Sequence, residues 1–264
     1  MPVPTKFIEI LKEDQNIVES RLNQMGQNGL LELFDGMLEL INDFTLELEA
    51  HTASLILPKK SVGTTQKVNW NDRLGLHMMG VVVSQYIFAF SHVCRAQPSE
   101  AYVHMRRAIE AAGIAYSATS DPDLAKVYGS GDEKRLWPRI KRDKILPRSD
   151  PLTYELNSMM KQAASKLHGN LKSVASNIEE GFEFRDSHVE ISFVFRINEL
   201  NPDAESVWED CSYILTAMYH ICQLFAARYG LPKDSWHARL EGYRADIAEI
   251  DSLVKNHAVQ VPPS

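Results

Sequence analysis

Apolar residues recur every three to four positions along most of the chain, which is the period of an amphipathic α-helix. The first apolar stripe begins at Phe7 and is broken by the segment GQNG. A second stripe begins at Leu30 and stops near Pro58, where a polar loop follows. The pattern therefore predicts an N-terminal helical hairpin over residues 1–57.

A very apolar helix, from about Asp72 to Arg95, opens the predicted helical core at residues 71–256. Its window LHMMGVVVSQYIFAFSHV is barely long enough to cross a bilayer and holds two histidines, so we interpret it as a buried central helix and expect no membrane contact. A narrow row of polar residues, the polar seam, follows one side of this helix. We expect their side chains to form hydrogen bonds with neighbouring polar groups. The seam consists of Arg73, His77, Ser84 and Ser91.

Three later helices share a start signal, in which a capping side chain precedes a proline at the first helical position. These pairs are Asp121-Pro122, Asp150-Pro151 and Asn201-Pro202. The helix opened by Asp150 keeps its apolar period as far as Ile178. A last helix, from Trp236 to Val254, has the same clean period.

One stretch breaks the helical rule. In HVEISFVFRI, apolar residues alternate with polar or smaller ones, the period of a half-buried strand, and GFEFRDS just before it fits a hairpin partner. We therefore expect a β-hairpin near residues 182–197. The predicted fold class is mainly α, a multi-helix bundle with one inserted β-hairpin, forming a single domain over residues 1–264.

Composition narrows the function classes only modestly. The 264 residues carry a formal net charge of −7, which argues against a surface that coats nucleic acid generally. Three cysteines occur without a C-x-x-C motif, and the start of the chain lacks the apolar run of a signal peptide. We expect a cytoplasmic protein.

Motifs for metals and cofactors are missing from the sequence. The nine histidines form no H-E-x-x-H motif and no Glu-x-x-His pair of the di-iron type. The chain also lacks a phosphate-binding G-x-x-x-x-G-K-[ST] loop, a G-x-G-x-x-G motif and a G-x-S-x-G nucleophile elbow. We predict no metal site and no cofactor.

Two adjacent arginines interrupt the apolar helix HMRRAIEAAGIAY. Arg106 and Glu110 are four residues apart and can pair along the helix, while Arg107 shares the same glutamate from three residues away. One carboxylate thus serves two guanidinium groups, and the surplus charge needs an acid or an anion elsewhere. The pair is either a structural clamp between helices or part of a catalytic or anion-binding site.

A second candidate lies in AASKLHGN. His168 falls on a partly apolar flank of its helix, one turn after Ser165. It can be a hydrogen-bonded core histidine or a general acid or base in a cleft.

The third candidate is the basic segment KRLWPRIKRDKILPR, which holds seven of the 28 basic residues and Trp137. It either binds RNA or another phosphate-bearing ligand, or it is a solvated connector beside acidic helices. The predicted anion-binding residues are Arg135, Arg139, Lys141, Arg142 and Lys144.

The segments MRRAIEAAGIAY, DPDLAKVY and AASKLHGN together resemble a group of helical proteins related to the HEPN superfamily. The matching positions are Arg106, Glu110, Ser165 and His168. The resemblance implies a helical bundle, often dimeric, that occurs in toxin or anti-phage systems. Active HEPN members are metal-independent ribonucleases with an arginine and a histidine separated by four to six residues. No arginine of this chain is followed by a histidine at that spacing.

Two functions follow. The first is a non-catalytic helical module that binds a partner or forms a homo-oligomer. The alternative is a HEPN-like metal-independent ribonuclease or another phosphate-handling enzyme, in which His168 acts as acid or base, Arg106 or Arg107 stabilises negative charge, and the basic segment holds the substrate.

Overall fold

A computed structural model confirms the predicted helical class. The structure describes residues 7–27, 29–56, 70–121, 123–168, 178–185, 188–195, 204–230 and 236–258, with side chains at 15–27, 29–50, 71–121, 123–165, 207–230, 236–249 and 252. The helices are α1 (Phe7–Gln27), α2 (Leu30–Ile56), α3 (Trp70–Cys94), α4 (Pro98–Ser117), α5 (Leu124–Ser130), α6 (Glu133–Leu136), α7 (Arg142–Ile145), α8 (Pro151–His168), α9 (Ala204–Tyr229) and α10 (His237–Ala258).

The core of the bundle lies around α9, whose apolar residues face several neighbours at once. α9 packs against α2, α3, α4, α8 and α10, and α3 and α4 pack against each other as a helical hairpin. The apolar stripe of α9 is buried throughout, as expected for residues spaced at the helical period. Its members are Trp208, Cys211, Leu215, Met218, Cys222 and Phe225.

A buried arginine, Arg228, connects the end of α9 to α3 and α4. The Arg228 side chain is 3% exposed and lies 3.7 Å from the Asp72 carboxylate. Its guanidinium donates to the backbone oxygens of Asn71, at 2.9 Å, and of Ala115. Three elements are thereby fixed at one point, since Asn71 and Asp72 begin α3 and Ala115 lies near the end of α4.

A glycine on α3 lets α9 approach closely beside this arginine. A Cβ at Gly75 would overlap the Tyr229 hydroxyl and would lie 2.9 Å from the Tyr229 Cζ atom. The Tyr229 ring is buried and stacks with Phe225, with 6.4 Å between centroids. A side chain at position 75 would therefore separate the two helices.

The structure confirms one of the three predicted helix starts and contradicts another. At Asp150 the prediction is confirmed, because α8 begins at Pro151 and the Leu152 N–H donates to the Asp150 carboxylate at 3.0 Å. At Asp121 it is wrong, because α5 begins only at Leu124. The Asp121 carboxylate instead accepts the Asp123 N–H at 3.2 Å in a turn and pairs with Arg139. The third signal, Asn201-Pro202, lies outside the described residues.

The expectation that one helix continues from Asp150 to Ile178 is wrong at its end, because Ile178 begins a β-strand. Helix α8 is described from Pro151 to His168, and residues 169–177 lie outside the described residues. The backbone of β1 (Ile178–Arg185) pairs antiparallel with β2 (His188–Phe195). Side chains of both strands lie outside the described set, so the insertion of this hairpin into the bundle stays a prediction.

Candidate functional site

The paired residues at the centre of α4 are Arg106 and Glu110. Arg106 Nε lies 3.5 Å from Glu110 Oε1, which confirms the predicted local pair. The two side chains are 38% and 39% exposed. An ion pair so accessible to water contributes only a few tenths of a kcal/mol, roughly, and Glu110 balances the Arg106 charge. The pair lies on the surface of the bundle.

Arg107 is exposed and makes no ion pair with any residue that the structure describes. Its charge lies close enough to His104, one turn earlier on α4, to lower the pKa of that imidazole. No Arg107–Glu110 ion pair occurs among the described residues, and the acid or anion that would balance the Arg107 charge stays a prediction. His104, the neighbour of Arg107 one turn earlier on the same helix, is the described group that its charge affects.

His168 is the last residue of α8, and its side chain lies outside the described residues. Ser165, its predicted neighbour one turn earlier, is exposed. α8 packs against α4, so the helices that carry His168 and Arg107 are adjacent. Whether the two side chains meet in one cleft stays a prediction.

The basic segment folds into the short helices α6 and α7 with turns around them. Two of the predicted anion-binding residues are engaged: Arg139 pairs with Asp121, and Arg142 Nε lies 3.5 Å from Asp143 Oδ1. The other cations are exposed and form no ion pair within the described chain. They are Lys134, Arg135, Lys141, Lys144 and Arg148. Trp137, at the centre of the segment, is 62% exposed.

A pair of histidines that sequence reasoning missed joins α3 to α4. The rings of His92 and His104 stack with 5.0 Å between centroids and 14° between planes. Each Nδ1 atom is held by a glutamine oxygen, at 2.8 Å from Gln97 for His92 and at 2.7 Å from Gln85 for His104. A signal for this pair did exist, since both histidines lie six residues from Pro98, where the second helix of the hairpin begins.

The hydrogen bonds of this pair fix where its protons are. An amide oxygen only accepts, so each Nδ1 donates the hydrogen of its bond to glutamine. Burial lowers the pKa of His104, and the nearby His92 and Arg107 lower it further against the opposing charge of Glu100. The His104 ring is therefore neutral at neutral pH.

Stacked rings do not direct their nitrogens at one ion. Among the described residues, no three His, Cys, Asp or Glu side chains are grouped in the way that a metal site needs.

The side of α3 that faces away from the bundle corrects the prediction of a buried central helix. Its exposed residues all fall on one face, which we call the α3 face. They are Arg73, His77, Gly80, Ser84, Ile87 and Phe88. Ile87 and Phe88 are 47% and 50% exposed. The polar seam predicted from sequence lies along this outer face, where Ser84 donates to the Gly80 carbonyl of its own helix at 2.9 Å.

The outer side of α3 was predicted to be core because the sequence has no Asp, Glu, Lys or Arg between Arg73 and Arg95. By length and composition, residues Asn71–Cys94 also suffice to cross a membrane, with a mean hydropathy of 1.4. Only 39% of the 18-residue window that has this hydropathy is buried. Its inner side packs on α2, α4 and α9 as a core helix does.

Comparison with known proteins found no matching family model, no similar curated protein and no similar solved structure.

Proposed function

We propose that the protein is a non-catalytic helical module that forms a homo-oligomer through the α3 face. The observation that carries this proposal is a pair of large apolar side chains, Ile87 and Phe88, about half exposed on a face with no charge between its ends. Contiguous exposed apolar surface of this kind marks interaction sites on soluble proteins.

The contrast with another surface helix supports the proposal. The outer side of α10 is charged, as expected for a helix that faces water. Its exposed residues include Arg239, Arg244, Asp246 and Glu249. On the α3 face, the only formally charged residue is Arg73, at one end. Depletion of charge is typical of the centre of an interface.

A second copy of the chain is the partner that fits this face. Each copy carries a net charge of −7, so two copies repel each other over most of their surface. The α3 face carries no Asp, Glu, Lys or Arg for about 17 Å from His77 to Phe88, by helical rise, and two copies can meet there without apposing like charges over that length.

The experiment is sedimentation equilibrium of the wild type and the Phe88→Glu variant. We expect the variant to raise the dimer dissociation constant at least ~100-fold, because each dimer loses two apolar rings and gains two desolvated carboxylates. The matched control is Leu46→Glu, which puts the same charge on an apolar residue of α2 that is 63% exposed. This control should leave the dissociation constant unchanged.

Two results would overturn the proposal. One is a wild type that is monomeric throughout the concentration series. The other is equal weakening by both substitutions, which would mean that added charge rather than the α3 face controls association. If the wild-type monomer instead floats with phosphatidylcholine vesicles and Phe88→Glu does not, the face contacts lipid and the homo-oligomer is rejected.

A second candidate function is favoured by the basic segment. Between residues 132 and 148, seven basic residues face only three acidic ones, opposite in sign to the whole chain. Exposed cations around an exposed indole suit a ligand that carries both phosphates and stackable bases. This observation supports RNA binding and, as the alternative, a HEPN-like ribonuclease or other phosphate-handling enzyme.

Fluorescence anisotropy with a labelled single-stranded RNA tests this second candidate. We expect Lys141→Glu with Lys144→Glu to weaken binding about tenfold or more and to flatten its salt dependence, since about two phosphate contacts are lost. Lys126→Glu is the control, because Lys126 is exposed near the segment but already pairs with Asp123 at 3.3 Å. Equal binding by all three proteins would reject the segment as a site, and intact RNA after incubation would reject the nuclease.

The same proposal places the protein in the cytoplasm and retains the hairpin as an insertion in the helical bundle. Support for a reducing compartment comes from Cys94, Cys211 and Cys222, which are all free and buried. Burial raises the pKa of Cys94 to about 11 and that of Cys222 to about 12, which keeps both thiols protonated and unreactive. The link to toxin or defence systems rests on the sequence resemblance alone.

A further inference from the structure

We infer that the two copies pair antiparallel through α3, about a two-fold axis that passes beside Ser84. This inference rests on the proposed homo-oligomer and specifies its geometry. A two-fold interface uses the same patch on both subunits, so the patch must be complementary to itself. The order of large and small residues along the α3 face meets that requirement when the two α3 helices run antiparallel, and it does not when they run parallel.

Large residues on one side of Ser84 correspond to smaller ones at equal distances on its other side. In an antiparallel pair centred there, residues whose numbers add to 168 lie at the same level. Ile87 and Phe88 of one copy then lie opposite Val81 and Gly80 of the other, and the same layer repeats on the opposite side of the axis. Val81 is half-buried at the edge of the α3 face. Each layer therefore matches two large side chains with two smaller ones, as close packing needs.

Open space at Gly80 makes room for the partner. Apart from the adjoining residues and backbone of α3 itself, no described atom lies within 4 Å of the position where a Gly80 side chain would begin. Together with the small Ser84 at the centre, this glycine allows two helix backbones to approach closely, as small residues do at other helix–helix contacts. The protruding Ile87 and Phe88 then enter space that the chain itself does not fill.

The parallel arrangement lacks this fit. A two-fold axis along the helices would place Phe88 against Phe88 and Gly80 against Gly80. One layer would be crowded and another would be empty, and empty volume at an interface costs packing energy. The antiparallel register is therefore the one that the face favours.

The ends of the face determine how salt acts on the pair. In the antiparallel register, Arg73 of one copy lies at the level of Arg95 of the other. Both arginines interact with groups of their own chain, and Arg95 donates to Ser91. The remaining repulsion between these exposed charges is screened by salt, as is that between two chains of net charge −7. Association should strengthen as ionic strength rises.

Disulfide cross-linking of the full chain tests the register. Ser84→Cys places a thiol at the axis, within disulfide reach of its mate, and diamide oxidation should convert most of the chain to twice its mass. His77→Cys alone should not cross-link, because the two thiols would lie about 21 Å apart along the helix. The double variant His77→Cys with Ser91→Cys should cross-link again. Wild type, whose three cysteines are buried, gives the background.

The outcomes distinguish a failure of the antiparallel register from a failure of the proposed homo-oligomer. Cross-linking of His77→Cys alone would show a parallel pair and overturn the inference. A dimer that Phe88→Glu dissociates but that Ser84→Cys does not cross-link would also overturn it, while leaving the α3 face as the interface. A monomeric wild type by sedimentation would reject the proposed function and the inference together.

Discussion

Arg228→Ala is expected to lower the free energy of unfolding by about 3 kcal/mol or more. The guanidinium is almost fully buried, and its loss leaves the Asp72 carboxylate and the carbonyls of Asn71 and Ala115 without their donor. Desolvated acceptors without partners are costly, and the missing side chain also leaves a cavity. Urea unfolding followed by circular dichroism, at one fixed protein concentration, measures the effect.

Arg239→Ala is the control for this substitution. Arg239 also pairs with an aspartate, Asp43, but the two side chains are 40% and 58% exposed. We expect this control to lose no more than about 1 kcal/mol, as exposed ion pairs do. If both variants lost similar amounts of unfolding free energy, Arg228 would not be the main connection between α9 and the helices α3 and α4.

Gly75→Ala is expected to lower the free energy of unfolding by about 2 kcal/mol. The added methyl group would overlap the Tyr229 hydroxyl, and stacking on Phe225 keeps the ring from moving aside. This cost exceeds the roughly 1 kcal/mol that alanine gains over glycine inside a helix. The same urea titration gives the value.

Two variants check this explanation. Gly242→Ala, on α10, meets no atom within 4 Å and should stabilise the protein by up to about 1 kcal/mol. Adding Tyr229→Phe to Gly75→Ala should restore part of the lost stability, because it removes the overlapping oxygen. That oxygen has no hydrogen-bond partner in the described structure. Without such recovery, the cost at Gly75 would have another origin.

The helices were predictable because their apolar periods are long and their ends carry glycine, proline or capping residues. α1, α2, α3 and α10 begin and end close to the predicted positions for this reason. A local error falls where two signals compete. At Asp121 a turn and the ion pair with Arg139 replace the predicted helix cap.

The candidate site was harder to predict because it depends on how helices are rotated against each other. The Arg106–Glu110 pair is local, so the sequence predicted it. The His92–His104 stack depends on the short turn between α3 and α4 and on how each helix is rotated about its own axis. A shift of one residue along a helix rotates a side chain by about 100° about that axis. The outer face of α3 was interpreted as core because a core face and an interface can share the same apolar composition.

The short connection between α3 and α4 has a consequence for the order of folding. The contact between Gln85 and His104 spans 19 residues, whereas that between Asp43 and Arg239 spans 196. Closing the longer loop costs about 2 kcal/mol more in chain entropy. We therefore expect the α3–α4 hairpin to form before α2 and α10 meet, and the inner, apolar side of this hairpin stays uncovered in a nascent chain until α9 has been made. That interval is when the chain has most need of a chaperone.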